Sequence, residues 1–271
     1  CIRDSPWAEI REELDRNLPG GVQEIFDRID EEPMATASVS QVHRARLKDE
    51  REVVVKVRRP EIEEVIHADL DFLRAIAKVL KGTIVEVSRH NPERWIDEFA
   101  AAMEEELDLT NEVRTIETFR GNGSQRGLLV IPEVYAQLSS SRIVVMEYLE
   151  GMSVTRVEDP DERKRIARGL LHECYKQVFV DGFFHADPHP GNVLVNLETG
   201  QIEFLDMGLM GELNRMQRMA LGDVLVSMVE GDGYSLGKAG MRLSRPLPGA
   251  TVDEGAFLEA MERFGDRFFN T

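Results

Sequence analysis

The stretch from residue 185 to residue 206 constrains the fold more than any other. It reads HADPHPGN, two short apolar segments separated by Glu198-Thr199-Gly200, and then LDMG. The segments 192–196 and 201–205 are too short for helices and flank a turn-forming triplet, so they read as a tight β-hairpin. Asn192 and Asp206 bound that hairpin. Asp187 stands five residues before Asn192 on a turn stiffened by Pro188, Pro190 and Gly191. Taken singly, His185, Asp187 and His189 would be turn-capping side chains and Asp206 the end of a strand. As a set, two Asp and one Asn around one rigid apolar hairpin call for a chemical use.

That use is phosphoryl transfer. An Asp can orient or deprotonate a hydroxyl, while an Asn and a second Asp supply hard oxygen ligands to Mg²⁺ on nucleotide phosphates, which is the lower half of a kinase-type site. Such a site also needs a cation, and VVVKV (53–57) supplies Lys56 on a strand. By alternation Lys56 shares a face with Val54, opposite to Val53, Val55 and Val57. A lone strand lysine is usually a solvated edge residue, but here Asp187, Asn192 and Asp206 give it a partner site. Its own partner should be a helical Glu from the cluster Glu104, Glu105, Glu106, Asp108 and Glu112. Periodicity does not choose among them, although Glu106 falls in register with Trp95, Phe99 and Met103 on the stripe expected to face inward. No glycine-rich loop precedes Lys56. The small residues Ala35, Thr36, Ala37 and Ser38 stand in its place and let a backbone approach phosphates less freely than glycine would.

The remaining pattern predicts an α+β, protein-kinase-like fold of two lobes. Residues 1–32 are a helical lead-in broken at Pro19-Gly20-Gly21. Residues 33–148 form a small mixed lobe: strands 39–47 and 52–57 joined by a charged turn, helices 62–80 (with Ile66, Leu70, Leu73, Ile76, Ala77 and Leu80 on one stripe) and 92–119, a Gly/Asn/Ser loop at 121–127, and strands 128–136 and 142–148. Residues 149–271 form a mostly helical lobe, with a helix over 161–180 and the 192–205 hairpin as its one β element. Residues 231–271 hold no interpretable motif.

Acidic residues number 50 against 33 basic ones, a net charge of −17, which excludes a nucleic-acid partner. The two cysteines, Cys1 and Cys174, have neither disulfide nor zinc spacing, which fits a reducing compartment, and the chain shows neither a signal-peptide pattern nor an apolar run of membrane-spanning length. A cytoplasmic location is expected. The start at Cys1 and the stop inside an amphipathic helical pattern lead us to expect that both ends are cut.

Residues 33–211 resemble the UbiB (AarF-type) atypical kinase family. PMATASVSQVH resembles the family's Ala-rich loop, VVVKVRRP its lysine strand, ELDLTNE (106–112) its Glu-x-Asp helix, MEYLEG (146–151) its hinge, and HADPHPGN with LDMG its catalytic and metal motifs. The resemblance implies that Lys56 pairs with Glu112, that Glu106 and Asp108 form the family's acidic motif, that Asn192 and Asp206 hold Mg²⁺, that Asp187 takes the catalytic position, and that ATP's adenine bonds to hinge backbone around Glu147, Tyr148 and Leu149. It implies ATPase or atypical kinase activity linked to prenylquinone (ubiquinone) biosynthesis and lipid homeostasis. A lipid or prenylquinone precursor, quinone-biosynthesis proteins and peripheral membrane contact are then the partners to consider. Ser40 departs from a usual Gly or Ala and would add a hydroxyl near the phosphates, and Met207 replaces the usual Phe. The family's Lys-x-Gly-Gln motif and its C-terminal membrane-spanning segments are not found in these residues. A small-molecule phosphotransferase of the aminoglycoside or choline type shares the His-x-Asp-x-His-x-x-Asn pattern and is the alternative enzyme. A non-enzymatic ATP-binding regulator is the alternative from another class.

Overall fold

The computed structural model describes residues 5–83, 92–121, 128–244 and 252–268. They fall into two compact units, one of residues 1–156 and 190–208 and the other of residues 157–189 and 209–271. The loop residues 122–127, the side chain of Leu80, Pro246 and Pro248 lie outside the described set.

In the first unit, helix α1 (Trp7–Asn17) carries Ile10 and Leu14 one turn apart, so both bury their side chains on one face. Gly20 and Gly21, at φ of 79° and 78°, reverse the chain into α2 (Val22–Ile25) and β1 (Phe26–Ile29). Strands β2 (Ala35–Thr36), β3 (Ser40–Leu47), β4 (Glu52–Arg58) and β6 (Ile143–Glu147) complete an antiparallel sheet in the order β1-β3-β4-β6, with β2 on β3. Val53, Val55, Val57, Ile143 and Val145 pack with Ile10 and Leu14 in one core. Lys56 therefore lies on the other face of a central strand, as alternation requires.

Helix α3 (Ile62–Thr83) packs against α4 (Pro92–Leu107), and their contact departs from the expected stripes. Leu70, Ala77, Ala100 and Leu107 are buried, whereas Leu73, Ile76, Trp95 and Phe99 are exposed. Small alanines at the crossing let the two helices approach closely, and the bulky side chains are left outside. The helix expected over 92–119 also breaks. Asp108 accepts hydrogen bonds from the Thr110 N–H at 3.0 Å and the Thr110 hydroxyl at 2.7 Å, and a new helix α5 (Thr110–Gly121) starts there.

Of the strand expected over 128–136, only β5 (Leu129–Val130) forms, and it pairs in parallel with β10 (Ile202–Phe204) rather than with β6. Pro132 has no N–H to give to a ladder, and beyond it only Val134 bridges to Met146. The hairpin is as expected: β9 (Val193–Val195) and β10 pair antiparallel, with Glu198 and Thr199 donating N–H to the Asn196 side chain and Gly200 at φ 76°. Strand β7 (Met152–Ser153) completes a four-stranded sheet β5-β10-β9-β7. This sheet and the hairpin group with the first unit.

In the second unit, α6 (Pro160–Tyr175) starts on an Asp159 cap with proline in its first turn. It widens into a π-helical turn (Lys176–Asp181) instead of continuing to residue 180, and ends at Gly182 with φ 72°. Two further strands, β8 (Phe183–His185) and β11 (Met210–Glu212), pair antiparallel, so the hairpin is not the only β structure in the C-terminal half. Helices α7 (Arg215–Glu230), α8 (Gly233–Leu243) and α9 (Glu254–Phe268) follow. Gly233 and Gly265 meet backbone to backbone, which gives the glycines of this motif-free stretch a packing role. No described helix is long and apolar enough to cross a membrane.

Candidate active site

Strand β4 lies between β3 and β6, with Val42 and Val144 opposite Lys56, so Lys56 is an interior residue of the sheet and not a solvated edge. It is only 6% exposed. A buried ammonium needs partners, because removing it from water without them is costly. Lys56 Nζ has two: it donates to Glu112 at 2.9 Å (Oε1) and 2.8 Å (Oε2), and to Asp206 Oδ1 at 3.3 Å. Burial alone would push the lysine pKa down, but the charges of Glu112 and then Asp206 outweigh it and hold the pKa above its ordinary value.

The break at Asp108 decides which acidic residue meets the lysine. It places Glu112 in the first turn of α5, buried at 4% exposure, while Glu104, Glu105 and Glu106 remain on the exposed surface of α4. Glu106 does not point inward as its register suggested. It accepts a hydrogen bond from the Ser38 hydroxyl at 2.8 Å and so ties the small-residue loop to the acidic motif.

Asp206 follows β10 and remains about two-fifths exposed, with Oδ1 also accepting the Gly208 N–H at 3.0 Å. Met207 turns into the interior and is buried. The backbone of Asn192 accepts the Leu205 N–H at 2.8 Å, which fixes Asn192 beside the residue preceding Asp206. Among the described residues no group of three or more His, Cys, Asp or Glu could hold a metal alone. An Asn and an Asp fit Mg²⁺ in the form that takes its remaining ligands from phosphates and water.

Ala35 and Thr36 pair with Val42 and Gln41, and Ala37 N–H donates to Ser40 O at 2.9 Å, so the small-residue loop is a tight hairpin with Ala35, Thr36 and Ser38 exposed. Ser40 does not present its hydroxyl to a ligand. It is fully buried, and Oγ has no hydrogen-bond partner among the described residues. At the hinge, Glu147 N–H donates to Glu133 O and Tyr148 N–H to Glu52 O. The Leu149 N–H has no such partner among the described residues. The Arg44 guanidinium lies 4.1 Å over the Tyr148 ring.

Asp187 is on the second unit, in a turn built from that unit's own residues. His185 is buried; its Nδ1 accepts the Asp187 N–H at 3.1 Å, and its own N–H donates to Gln177 Oε1 at 3.0 Å. Asp187 O accepts the His189 N–H at 2.7 Å. Lys56, Glu112 and Asp206 are thus in direct contact, Asn192 shares the hairpin of Asp206, and Glu106 and Asp108 stay outside the ion pair.

Two residues near these motifs escaped sequence reasoning. Gln177 sits in the π-helical turn, which a helical pattern does not reveal. Glu203 was visible only as an acid between Ile202 and Phe204. With Leu149, Glu150, Gly151 and Leu194 it lines a cavity of about 190 Å³. Burial, then the charge of Glu147, push its carboxyl up to about 8. A larger cavity of about 420 Å³ is walled by Glu13, Arg58, Glu63 and Arg142, charges that pair with one another.

Residues 2–239 match the model of the ABC1 atypical kinase-like domain. The chain is 36% identical over 236 residues to the chloroplastic protein Activity of BC1 complex kinase 8 of Arabidopsis thaliana, covering 84% of this chain and 31% of that protein. It is 32% identical over 255 residues to a probable protein kinase UbiB of Aeromonas hydrophila, covering 91% of this chain and 47% of the relative. The chain thus spans less than half the length of either. Among solved structures it is similar to Rv3197 of Mycobacterium tuberculosis, determined in complex with erythromycin, with a TM-score of 0.74 at 24% identity over 98% of this chain and 67% of that one. The kinase-like α+β fold expected from the sequence is the fold found.

Proposed function

The chain belongs to the ABC1 atypical kinase-like family, and from that premise we propose that it is an ATP- and Mg²⁺-dependent phosphotransferase or ATPase of UbiB type. The observation that carries this reading is Lys56 bridging Glu112 and Asp206. A buried lysine fixed by one buried carboxylate and touching a second, partly open one is poised to exchange the second contact for phosphate oxygens. Its charge is secured before the ligand arrives, so binding requires little reorganisation.

On this reading Lys56 holds the α and β phosphates, Glu112 holds Lys56, and the backbone of the Ala35–Thr36 strand and of Ala37 and Ser38 covers the phosphates. The Leu149 N–H meets the base. Asn192 and Asp206 would hold Mg²⁺, which when bound offsets negative charge on the phosphoryl oxygens. Asp187 orients the acceptor, a hydroxyl or water, with His185 and Gln177 keeping its turn in place. The UbiB resemblance makes a lipid or prenylquinone precursor the acceptor class to try first, with peripheral membrane contact.

The test is phosphate release from ATP with and without anionic lipid and phenolic quinone-precursor mimics, in wild type, Asp187→Asn and Asp206→Asn. Metal-dependent release that both substitutions abolish supports the reading. Turnover unchanged in Asp206→Asn would sink it, and tight ATP binding without release under all conditions would favour a non-enzymatic regulator.

A further inference from the structure

The strand that carries Lys56 ends at Arg58, and Arg59 follows it; each arginine is only 6% exposed. A buried guanidinium needs acceptors, and these two find theirs on different elements. Arg58 lies two residues from Lys56 on the same face of β4. Its Nη1 donates to the Leu107 carbonyl at 2.8 Å and its Nη2 to Glu63 at 2.9 Å. It thereby holds the end of α4, just before the Asp108 break that delivers Glu112 to Lys56. Arg59 turns to the small-residue loop instead. Its backbone N–H donates to Val39 O at 2.9 Å, and its Nη2 donates to Ala37 O at 3.0 Å.

Strand register places that loop beside Lys56. Ala35 stands opposite Val42, and Val42 opposite Lys56, so all three share one face of the sheet. At the other end of the loop Ser40 stands opposite Arg58, about 7 Å along the strand from Lys56. Two side-chain contacts hold the loop tip between them. The exposed one is Ser38 Oγ on Glu106, and the buried one is Arg59 on the Ala37 carbonyl.

The buried contact fixes more than a carbonyl. A peptide unit is planar and here trans, so the Ala37 C=O and the Ser38 N–H point in opposite directions. Holding Ala37 O on the guanidinium therefore turns the Ser38 N–H away from Arg59. That N–H has no partner among the described residues, whereas the Ala37 N–H is already donated to Ser40 O at 2.9 Å. An unpaired backbone N–H on an exposed loop is a donor for an anionic oxygen. Glycines can turn their N–H groups towards phosphate freely, but alanine and serine carry a Cβ that restricts the backbone. In this loop the orientation is set from outside, by a side chain.

We propose that Arg59 is a positioning residue of the nucleotide site, setting the Ala37–Ser38 peptide plane so that the Ser38 N–H meets a phosphate oxygen. The assignment rests on the nucleotide reading above. It is tested by calorimetric titration of ATP and of adenosine into the whole chain, as wild type, Arg59→Met, Ser38→Ala and Ser38→Pro. Arg59→Met should weaken ATP binding by roughly tenfold or more, while the affinity for adenosine, which has no phosphate, should not fall. Ser38→Pro, which lacks the N–H, should bind ATP roughly tenfold more weakly than Ser38→Ala, which keeps it. If Arg59→Met does not fold, Arg59→Lys takes its place: it keeps the charge without the planar fork, and should show the same selective loss at smaller size. ATP and adenosine weakened by the same factor in a folded Arg59 variant, or equal ATP affinity in Ser38→Pro and Ser38→Ala, overturns the assignment and leaves the nucleotide reading standing. No ATP binding by wild type overturns both.

Discussion

The Lys56 ammonium and the Glu112 carboxylate meet at 2.8 Å with both side chains less than a tenth exposed. Each is buried because the other is, so removing one leaves an uncompensated charge. Lys56→Ala should lower stability by about 3–5 kcal/mol. The double variant Lys56→Met/Glu112→Leu should lose much less, because it removes both charges. Urea denaturation of the two variants measures the difference. Equal losses would mean that the pair is not coupled, and both variants should be inactive.

Asp206 differs from Glu112 in being partly open and in having a backbone anchor at Gly208. Asp206→Asn keeps the side-chain oxygen for that anchor and leaves Lys56 with Glu112. The expected outcome is an unchanged melting temperature with phosphate release reduced on the order of a hundredfold or more. Side-by-side melting and turnover measurements check it, and a large fall in melting temperature would show Asp206 to be structural.

Gly182 adopts φ 72°, and a Cβ there would stand 2.6 Å from the Leu213 carbonyl oxygen. It feeds the chain from the π-helical turn into β8 and so into the turn of Asp187. Gly182→Ala should cost about 1–2 kcal/mol from the left-handed backbone alone, with the carbonyl contact adding to it. Because Asp187 is held by this unit and Lys56 by the other, turnover should fall while ATP affinity is retained. A parallel loss of ATP affinity would argue against that division of labour.

What the sequence disclosed was local. Alternation placed Lys56 on the face away from Val53, Val55 and Val57, and turn chemistry at residues 198–200 located the hairpin between Asn192 and Asp206. Features that depend on packing or on a break in period did not show. Register along α4 favoured Glu106, because a periodic reading assumes one unbroken helix and the Asp108–Thr110 cap resets the phase. Glu112 as the lysine's partner came only through the resemblance. Trp95 and Phe99 were expected inside because they share a helical stripe with Met103, but the alanines Ala77 and Ala100 are the buried residues of α3 and α4 there. Pro132 cut a strand whose apolar composition had argued for continuity, and Ser40 lies buried two residues beyond the exposed Ser38. Gln177 reaches His185 only through a widened turn that has no compositional mark.

Glu203 links this local structure to pH. Its carboxyl is pushed up to about 8, above the ordinary glutamate range, by burial and then by Glu147. Between the ordinary value and about 8 the folded chain therefore binds more protons at this site than the unfolded chain does. Stability falls as pH rises wherever the folded state holds the extra proton. The site's penalty is absent below the ordinary glutamate pKa, grows through neutrality and levels off above about 8. Glu203→Gln, which cannot ionise, should be more stable than wild type at pH 9, on the order of a few kcal/mol, with the advantage shrinking towards pH 5. Urea midpoints of both proteins measured from pH 5 to 9 give the difference directly, with the titration of every other group common to both. Parallel curves would mean that Glu203 ionises with solvent access in the folded chain.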